Sequence, residues 1–365
     1  MKTVVDYLIV GSGLTGAVIA RVLFDAGREV LVLERRNHVG GNVHDHVHPS
    51  GIPIHTYGPH YFRTNSEKLW EFANRFAKFY PYEAIVKTFV DGKYENWPIK
   101  QSYLVDTVGI DWKPEYTGNA PQNFEEACLS MMPRVIYEKF VKGYTEKQWG
   151  VPAKTLSPRL ARRFEVRNNN DPRLKTEKFQ GLPEHGYTYW MQNMLKNIPI
   201  MLNVDFLTQR SLFTPKKLLV FTGPIDEFFD FDLGRLLYRG QKREHTYIPN
   251  KNYAQPCGQI NNPDPHYGPH IRTLEWKHMM LPEFANSISG TVLTRETPYT
   301  PNNPNNYEYP FPDQRNRRLY RRYRDRAEAL SNLLICGRLG EYRYYDMDQA
   351  IARAFVLAQQ ILKNT

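Results

Sequence analysis

The chain has 365 residues, of which 41% are hydrophobic, and these values predict a globular protein of two or three domains. Its formal net charge of +10 indicates an anionic substrate or a nearby anionic membrane surface, because no nucleic-acid-binding motif accompanies the positive charge. No apolar run approaches the roughly 20 residues that span a bilayer, and the first predicted strand begins too early to follow a signal peptide. We therefore expect a cytoplasmic protein without a transmembrane segment.

The three cysteines, Cys128, Cys257 and Cys336, are odd in number and far apart in the sequence. This pattern is typical of a reducing compartment and argues against a disulfide framework or a metal site. We therefore predict no metal ion and no nucleic-acid partner. The oligomeric state stays open, with a homodimer as one possibility.

The first 42 residues follow the order of a dinucleotide-binding unit. Residues 6–10 predict a buried parallel strand, and apolar residues at helical spacing predict a helix over residues 17–26. A second predicted strand, residues 30–33, leads into Glu34, at the spacing expected for an acid that accepts from ribose hydroxyls. Between the first strand and the helix lies a glycine-rich motif formed by Gly11, Gly13 and Gly16.

Each glycine of this motif has a physical task. Gly11 permits a tight turn, Gly13 lets the backbone approach a pyrophosphate, and Gly16 lets helix and strand pack closely. The helix N-terminus adds free N–H groups for the phosphates. An acid, two arginines and a second glycine pair follow over residues 34–42, a pattern that resembles FAD-binding flavoproteins more than simple NAD dehydrogenases. The FAD-binding residues predicted here are Gly11, Gly13, Leu14, Thr15, Gly16, Glu34, Arg35, Gly41 and Asn42.

Further elements follow in chain order. A helix is predicted from Ser66 to about residue 79, and a hairpin is predicted from residues 85–90 and 94–97. The pattern then turns helical from residue 123 to 144, with a short helix at 156–163 and a polar surface loop at 167–175. Short β runs after Asp226 suggest an antiparallel sheet. The remaining predicted helices are 186–195, 317–331 and 347–363, and the remaining strands are 200–207, 218–222 and 333–336.

The late strand, its glycine turn and the terminal helix would complete the dinucleotide fold from the far end of the chain. The predicted fold class is therefore α/β, with a discontinuous Rossmann-like FAD-binding domain, an inserted helical domain and an antiparallel β-sheet domain. The first comprises residues 1–80, about 186–245 and 316–365. The helical domain comprises about 100–165, and the sheet domain comprises about 81–99, 166–185 and 246–315.

Two longer blocks carry a family resemblance: residues 143–150 (GYTEKQWG) and 337–348 (GRLGEYRYYDMD). With shorter matches at 58–60, 179–181, 223–226 and 238–239, the chain resembles bacterial UDP-galactopyranose mutase from residue 4 to about 360. The resemblance implies interconversion of UDP-galactopyranose, or a related UDP-sugar such as UDP-N-acetylgalactopyranose, with its furanose form. It further implies that reduced FAD attacks the sugar and forms a flavin–sugar adduct without net redox change, after activation by NAD(P)H or another reductant.

The resemblance also implies roles for single residues. Arg167 matches the family's mobile-loop arginine, and Arg239, Arg272 and Arg338 match its fixed ones; planar guanidinium groups suit a diphosphate. His60 would lie beside the flavin ring. The residues predicted to be catalytic are Arg167, Arg272, Arg338, His60, Tyr344 and Asp346. Further predicted FAD contacts are His60, Gly337, Arg338, Asp346 and Met347.

The predicted substrate residues include an aromatic face. Phe140 and Tyr144 stand four residues apart on a helix and therefore share a side that can stack on uracil. Arg63 stands where the family usually has a histidine, and we expect it to reach the sugar, although pairing with a carboxylate is the alternative. The full substrate set is Phe140, Tyr144, Thr145, Trp149, Arg167, Arg239, Asn262, Arg272, Tyr309, Tyr344 and Arg63.

Two other functions fit parts of the sequence. An FAD oxidoreductase of the amine-oxidase type would share the N-terminus but would leave the 143–150 block unexplained. A catalytically silent nucleotide-sugar-binding protein would need the arginines but no flavin. Residues 174–175 and the stretch 292–308 also depart from the family pattern, so this pattern defines the nucleotide part of the substrate more closely than the sugar.

Overall fold

The computed structural model describes residues 2–118 and 120–364. Residues 1 and 365, at the outer ends of the predicted FAD-binding domain, and residue 119, inside the predicted helical domain, therefore lie outside the described part.

A parallel sheet of five strands forms the centre of the first region. Its spatial order is Ile200–Leu202, Val30–Glu34, Thr3–Val10, Phe213–Phe221 and Leu333–Ile335. Two neighbouring inner strands of this sheet, Thr3–Val10 and Val30–Glu34, are almost continuous apolar runs because both of their faces are covered. Helices Leu14–Asp25 and Met347–Lys363 pack together over one face, and Ile9, Ala17 and Ile351 belong to their common core.

A larger mixed sheet forms the second region. Its seven strands, in spatial order, are Tyr309–Pro310, Tyr238–Pro249, Gly290–Tyr299, Arg272–Glu275, Gln259–Asn261, Val86–Val90 and Lys93–Trp97. Neighbours in this sheet are antiparallel except Gln259–Asn261 and Val86–Val90, which run parallel. Two small antiparallel sheets connect the regions, made of Asp45–Val47 with Pro53–His55, and of Phe62–Thr64, Phe179–Pro183 and Phe79–Pro81.

The third region is helical and has its own apolar core, which includes Phe124, Ile136 and Leu156. Its helices are Gln101–Val108, Phe124–Leu129, Arg134–Ile136 and Gly143–Trp149, with a π-helical stretch at Tyr137–Lys142 and 3-10 turns at Ala153–Thr155 and Pro158–Arg163. The other helices are Glu67–Asn74, Gly186–Met194, Ile225–Phe228, Pro282–Asn286, Gln314–Glu328 and Gly337–Gly340, and further 3-10 turns lie at Gly41–Val43, Arg210–Leu212, Pro265–Tyr267, Trp276–Met279 and Pro304–Asn306.

The α/β fold class with an antiparallel sheet is confirmed. The division into three domains stays a proposal, which the separate apolar core of the helical region supports. Throughout residues 2–118 and 120–364, every helix is too short or too polar to cross a bilayer.

Several predicted elements have different bounds in the structure: the strand predicted over residues 200–207 ends at Leu202, the short helix predicted at 156–163 is the 3-10 turn Pro158–Arg163, and two longer helices also differ. The helix predicted over residues 123–144 is interrupted before Arg134, because Pro133 lacks an N–H group and disfavours helical geometry in the residue before it. The helix predicted to start at Ser66 does so, with the Ser66 hydroxyl accepting from the Leu69 N–H. It ends at Asn74 rather than near residue 79, because Phe79–Pro81 pairs with Phe179–Pro183 as a strand.

Candidate active site

A glycine-rich cavity lies at the carboxyl ends of the parallel strands. Gly11 has a φ of +102°, which favours glycine, and a Cβ on Gly16 would overlap the Gly11 carbonyl oxygen. A Cβ on Gly41 would lie 2.9 Å from the Cα of Gly13, so the two glycine-rich segments touch. The predicted FAD residues that line this cavity are Gly11, Gly13, Leu14, Thr15, Glu34, Arg35, Gly41, Asn42, His60, Gly337, Arg338 and Met347. Gly16 packs against Gly11 behind the cavity lining, and Asp346 lines the adjoining cleft.

Glu34 is buried at one end of this cavity. Its carboxylate accepts from the Ser12 N–H at 2.9 Å, the Ser12 hydroxyl at 2.8 Å and the Arg36 N–H at 3.0 Å. A carboxylate has about four acceptor positions, so about one is left for a ribose hydroxyl. Arg35 is held by both oxygens of Glu227, at 2.9 and 3.1 Å. The glycine cradle and this acid together fit a dinucleotide such as FAD.

The cavity adjoins a second, larger cleft of about 480 Å³. Asn42, His60, Arg338 and Met347 line both, so a molecule in the cavity would reach the cleft at this shared wall. The His60 Nδ1 lies 2.8 Å from the Gly58 carbonyl oxygen, which assigns its proton to Nδ1. Burial, followed by the nearby His55 and Arg338, lowers the pKa of His60 well below its ordinary value. His60 is therefore neutral at pH 7, with Nε2 as an acceptor.

One end of the cleft is aromatic. The π-helical stretch Tyr137–Lys142 continues directly into helix Gly143–Trp149, and this pair of turns presents Phe140, Tyr144, Thr145 and Trp149 to the cleft. The Thr145 hydroxyl is buried and has no hydrogen-bond partner among the described residues. An unpaired buried hydroxyl costs free energy unless a ligand binds it. The predicted uridine residues therefore do come together, with one polar group left for a ligand.

Tyrosines and an arginine line the middle of the cleft. The rings of Tyr309 and Tyr344 stack with centroids 6.0 Å apart, and the Arg338 guanidinium carbon lies 4.9 Å from the Tyr344 ring centroid. Arg338 is held by the carbonyls of Tyr345, at 2.9 Å, and Glu308, at 3.3 Å. Burial, with a further contribution from Glu308, raises the pKa of Tyr309 to about 12. Its hydroxyl therefore stays protonated at neutral pH and can donate to a phosphate.

Arg272 belongs to a buried network of two arginines and two glutamates. Its Nε donates to Glu296, whose other oxygen accepts from Arg243 at 2.8 Å. Arg243 also holds Glu308 through two bonds of 2.9 Å. Burial opposes ionisation of Arg272, but the charge of Glu296 outweighs it and raises the pKa of Arg272 well above its ordinary value. Although Arg272 lines the cleft, the network as a whole is neutral.

Arg63 lines the cleft but is held by carboxylates, as in the alternative stated above. Its Nε donates to Glu177 at 3.1 Å and its Nη2 to Asp346 at 3.0 Å. Asp346 also accepts from the Tyr344 hydroxyl at 3.0 Å and caps the terminal helix. Two of the three guanidinium nitrogens of Arg63 are therefore already used.

The structure places Arg167 away from the cleft, contrary to its predicted role. Its side chain is 3% exposed, pairs with Glu165 at 3.0 Å and donates to the carbonyls of Asp171 and Arg173. Arg167 therefore holds together the loop that was predicted as a polar surface segment over residues 167–175. Arg163, four residues earlier, lines the cleft instead, with its guanidinium carbon 4.2 Å from the Tyr344 ring centroid. Arg163 was not predicted to lie at the site. Both arginines precede the 179–181 block, and their order in the sequence does not show which of them reaches the cleft.

Asn262 and Arg239 are also outside the cleft. Side chains alternate along a strand, so Gln259 and Asn261 face the cleft while Asn262 points to the carbonyls of Tyr267 and His270. Asn261, the neighbour of the predicted residue, is thus the one at the site. The Arg239 guanidinium donates to the carbonyls of Gln148, at 2.7 Å, and Lys147, at 3.2 Å. Arg239 therefore satisfies unpaired carbonyls at the end of helix Gly143–Trp149, where a cation is favourable.

Within the described part of the chain, neither Arg338 nor Arg163 forms an ion pair. The charges of Arg272 and Arg63, in contrast, are matched by carboxylates. Arg162 and Lys175 also line the cleft without an ion pair among the described residues, but Arg338 and Arg163 are the two cations that lie against the Tyr344 ring in its middle. The cleft thus combines an aromatic end, a cationic middle and a wall shared with a dinucleotide cavity.

Comparison with known proteins gives the following similarities. The family model described as UDP-galactopyranose mutase matches residues 139–344, and that of an NAD(P)-binding Rossmann-like domain matches residues 9–76. The chain is 34% identical to the dTDP-fucopyranose mutase of Escherichia coli, covering 98% of both chains. It is also 34% identical to the probable UDP-galactopyranose mutase of Klebsiella pneumoniae, covering 98% of this chain and 95% of the relative. The crystal structure of a reduced UDP-galactopyranose mutase shares the fold with a TM-score of 0.73 at 14% identity, over 99% of this chain and 96% of the other.

Proposed function

Since this chain belongs to the UDP-galactopyranose mutase family and is an isomerase of that family, we propose that it interconverts UDP-galactopyranose, or a close analogue, with its furanose form. The observation that carries the proposal is the shared wall of the two cavities. Asn42, His60, Arg338 and Met347 would touch both a bound cofactor and a bound substrate, so the two molecules would meet there.

FAD is the cofactor that we propose for the glycine-rich cavity. Its pyrophosphate would lie against Gly11, Gly13 and the N-terminus of helix Leu14–Asp25, and a ribose would reach Glu34. When bound in its reduced form, FAD would supply the nucleophile for the anomeric carbon of the sugar, without net consumption of reductant. The neutral His60 would lie beside the flavin ring as an acceptor.

The residues of the cleft would hold and orient the nucleotide sugar. The uracil would pack against the aromatic end at Phe140 and Tyr144, where Thr145 offers its unpaired hydroxyl. Arg338 and Arg163 would bind the diphosphate, and the protonated Tyr309 hydroxyl would donate to it. These cationic groups would hold the nucleoside diphosphate in place while its bond to the sugar is broken and remade.

Two relatives with the same 34% identity are named for different substrates, one a dTDP-fucopyranose and one a UDP-galactopyranose. The family model favours the UDP-sugar. A cytoplasmic location, a homodimer and NAD(P)H as the external reductant stay predictions from the sequence.

Product analysis with chemically reduced holoenzyme tests the proposal. The enzyme is incubated with UDP-galactopyranose, UDP-N-acetylgalactopyranose or dTDP-fucopyranose, and furanose products are separated by chromatography. We expect one substrate to be converted with many turnovers per added reductant. Activity that consumes one reductant per turnover, or that is equal in oxidised enzyme, would contradict the proposal and favour an oxidoreductase. A purified protein that carries no flavin would favour the silent binding protein.

A further inference from the structure

Helix Gln314–Glu328 has a strongly basic outer side. Its inner side, which includes Asn316, Tyr323 and Ala327, is buried. We define the basic face as the four exposed arginines of the outer side between residues 314 and 322, which are Arg315, Arg318, Arg321 and Arg322. This stretch of the helix contains no acidic residue. The face therefore projects four like charges into solvent.

The basic face has no internal partner among the described residues. Arg324 pairs with Asp325 and Glu328, and Arg326 pairs with Asp232, but these contacts lie beyond the C-terminal end of the basic face. None of its four arginines forms an ion pair with a carboxylate in residues 2–118 or 120–364. Like charges placed together in this way repel one another, and folding alone offers no compensation for them. The arrangement is thus complementary to an external anion.

Two further cations extend this positive region toward the cleft. Arg317 lies on the same helix, and burial followed by the charges of Arg159 and Arg321 lowers its pKa. Arg159 belongs to the turn Pro158–Arg163, whose last two residues line the cleft. Arg317 and Arg159 therefore add two cations between the basic face and the turn that reaches the cleft.

Apolar side chains lie between the charges. A groove of about 460 Å³ is lined by three arginines of the basic face, by Arg235 and by Leu233, Leu237 and Leu319. Leu237 is 43% exposed, and Leu330, just after the helix, is 44% exposed. Guanidinium groups that bind phosphate next to leucines suit a surface with phosphate groups above an apolar layer.

We propose that the basic face of helix Gln314–Glu328, with the leucine-lined groove beside it, docks this protein on anionic phospholipid headgroups at a membrane surface. Clusters of four to eight basic residues on an amphipathic helix are typical of such binding. Single-stranded nucleic acid fits less well, because it is held by aromatic side chains on which bases stack. The tyrosines of this helix do not offer that platform, since Tyr323 is fully buried and Tyr320 packs against Tyr342.

Vesicle flotation with the full-length holoenzyme tests this proposal. Vesicles of phosphatidylcholine alone are compared with vesicles containing phosphatidylglycerol, at low and at high salt. The test variant carries Arg315→Gln, Arg318→Gln, Arg321→Gln and Arg322→Gln. The matched control removes the same charge from exposed lysines elsewhere, with Lys93→Gln, Lys113→Gln, Lys196→Gln and Lys251→Gln.

We expect the unchanged protein and the lysine control to float with the anionic vesicles at low salt, and to be released at high salt. The arginine variant should partition at least tenfold less, while its flavin content and turnover of soluble substrate stay unchanged. The proposal is overturned if the unchanged protein does not bind anionic vesicles, or if both variants lose binding equally. It is also overturned if the basic face is needed only for binding a labelled single-stranded oligonucleotide.

Discussion

The glycine-rich cavity, where we propose the cofactor, and the cleft, where we propose the substrate, are formed by different kinds of groups. The cavity depends on the close approach of backbone segments at Gly11, Gly16 and Gly41, where a Cβ would be strained or would collide. The cleft is lined by long side chains, whose charges are partly cancelled by glutamates and aspartates. Steric changes should therefore decide occupancy of the cavity, whereas the balance of charge should decide binding in the cleft.

The largest effect is expected at a glycine of the cavity. A Cβ in Gly16→Ala would overlap the Gly11 carbonyl, so helix and strand would have to separate. We expect the purified variant to contain at least tenfold less flavin, measured by its absorbance spectrum. Gly27→Ala is the control, because Gly27 has a φ of +73° with open space around it. That change should cost about 1 kcal/mol of stability and keep the flavin. A Gly16→Ala protein with full flavin content would show that the close contact between Gly16 and Gly11 is not needed for flavin binding.

The second prediction compares Arg338, which has no carboxylate partner among the described residues, with Arg272, which is paired with Glu296. Arg338→Ala should lower kcat/KM about 10- to 150-fold, since a charge-assisted hydrogen bond contributes about 1.5–3 kcal/mol. Its free energy of unfolding should fall by about 1 kcal/mol, because the carbonyls of Tyr345 and Glu308 lose a donor while the Arg338 side chain is only partly buried. Arg272→Ala should lower turnover as well, and it should also cost about 2–3 kcal/mol of unfolding free energy, because Glu296 keeps only Arg243 as a charged partner. Equal stabilities for the two variants would mean that the buried network contributes nothing to folding.

The third prediction compares two arginines four residues apart. Arg163→Ala should lower kcat/KM about tenfold at unchanged stability, because it removes a cation from the cleft. Arg167→Ala should instead lower the free energy of unfolding by about 2 kcal/mol, since Arg167 is buried and holds the carbonyls of Asp171 and Arg173. Steady-state kinetics and denaturant unfolding of both variants test this. The reverse assignment of the two losses would restore the role first predicted for Arg167.

Local sequence patterns were sufficient to predict the elements whose structure depends on residues close in sequence. The first strand, the glycine turn and the hairpin Val86–Val90 with Lys93–Trp97 were all predictable, because periodicity and turn residues act within a few positions. The early end of helix Glu67–Asn74 was not predictable, because Phe79–Pro81 pairs with a strand about a hundred residues later. Tertiary pairing overrides local helical preference there.

The residues of the cleft were harder to predict for a geometric reason. A motif gives the neighbourhood of a residue, but one step along a strand reverses the side of the sheet, as Asn261 and Asn262 show. Arg239 lies outside the cleft because it binds carbonyls at the end of helix Gly143–Trp149, and the sequence does not specify the position of that helix. Phe140, Tyr144, Thr145 and Trp149 reached the cleft together because they share one short segment.

The smallest effect is expected at Arg63. Because Glu177 and Asp346 occupy two of its nitrogens, Arg63→His should change the ratio of kcat/KM for UDP-galactose and UDP-N-acetylgalactosamine by only about threefold, in favour of UDP-galactose. Both specificity constants are measured in the two proteins side by side. A change of more than tenfold would make Arg63 a main determinant of sugar choice. An unchanged ratio would direct attention to residues 174–175 and 292–308.

The cofactor cavity joins residues from both ends of the chain. Val10 to Val43 form one wall, while Gly337, Arg338 and Met347 form another, and strand Leu333–Ile335 completes the sheet beside Phe213–Phe221. During synthesis, the ribosome must therefore release almost the whole polypeptide before a binding site for the flavin exists. Pairing over such sequence distances is slow to form. We expect nascent chains that end before the terminal helix to remain colourless, so flavin capture would be one of the last events in the maturation of this enzyme.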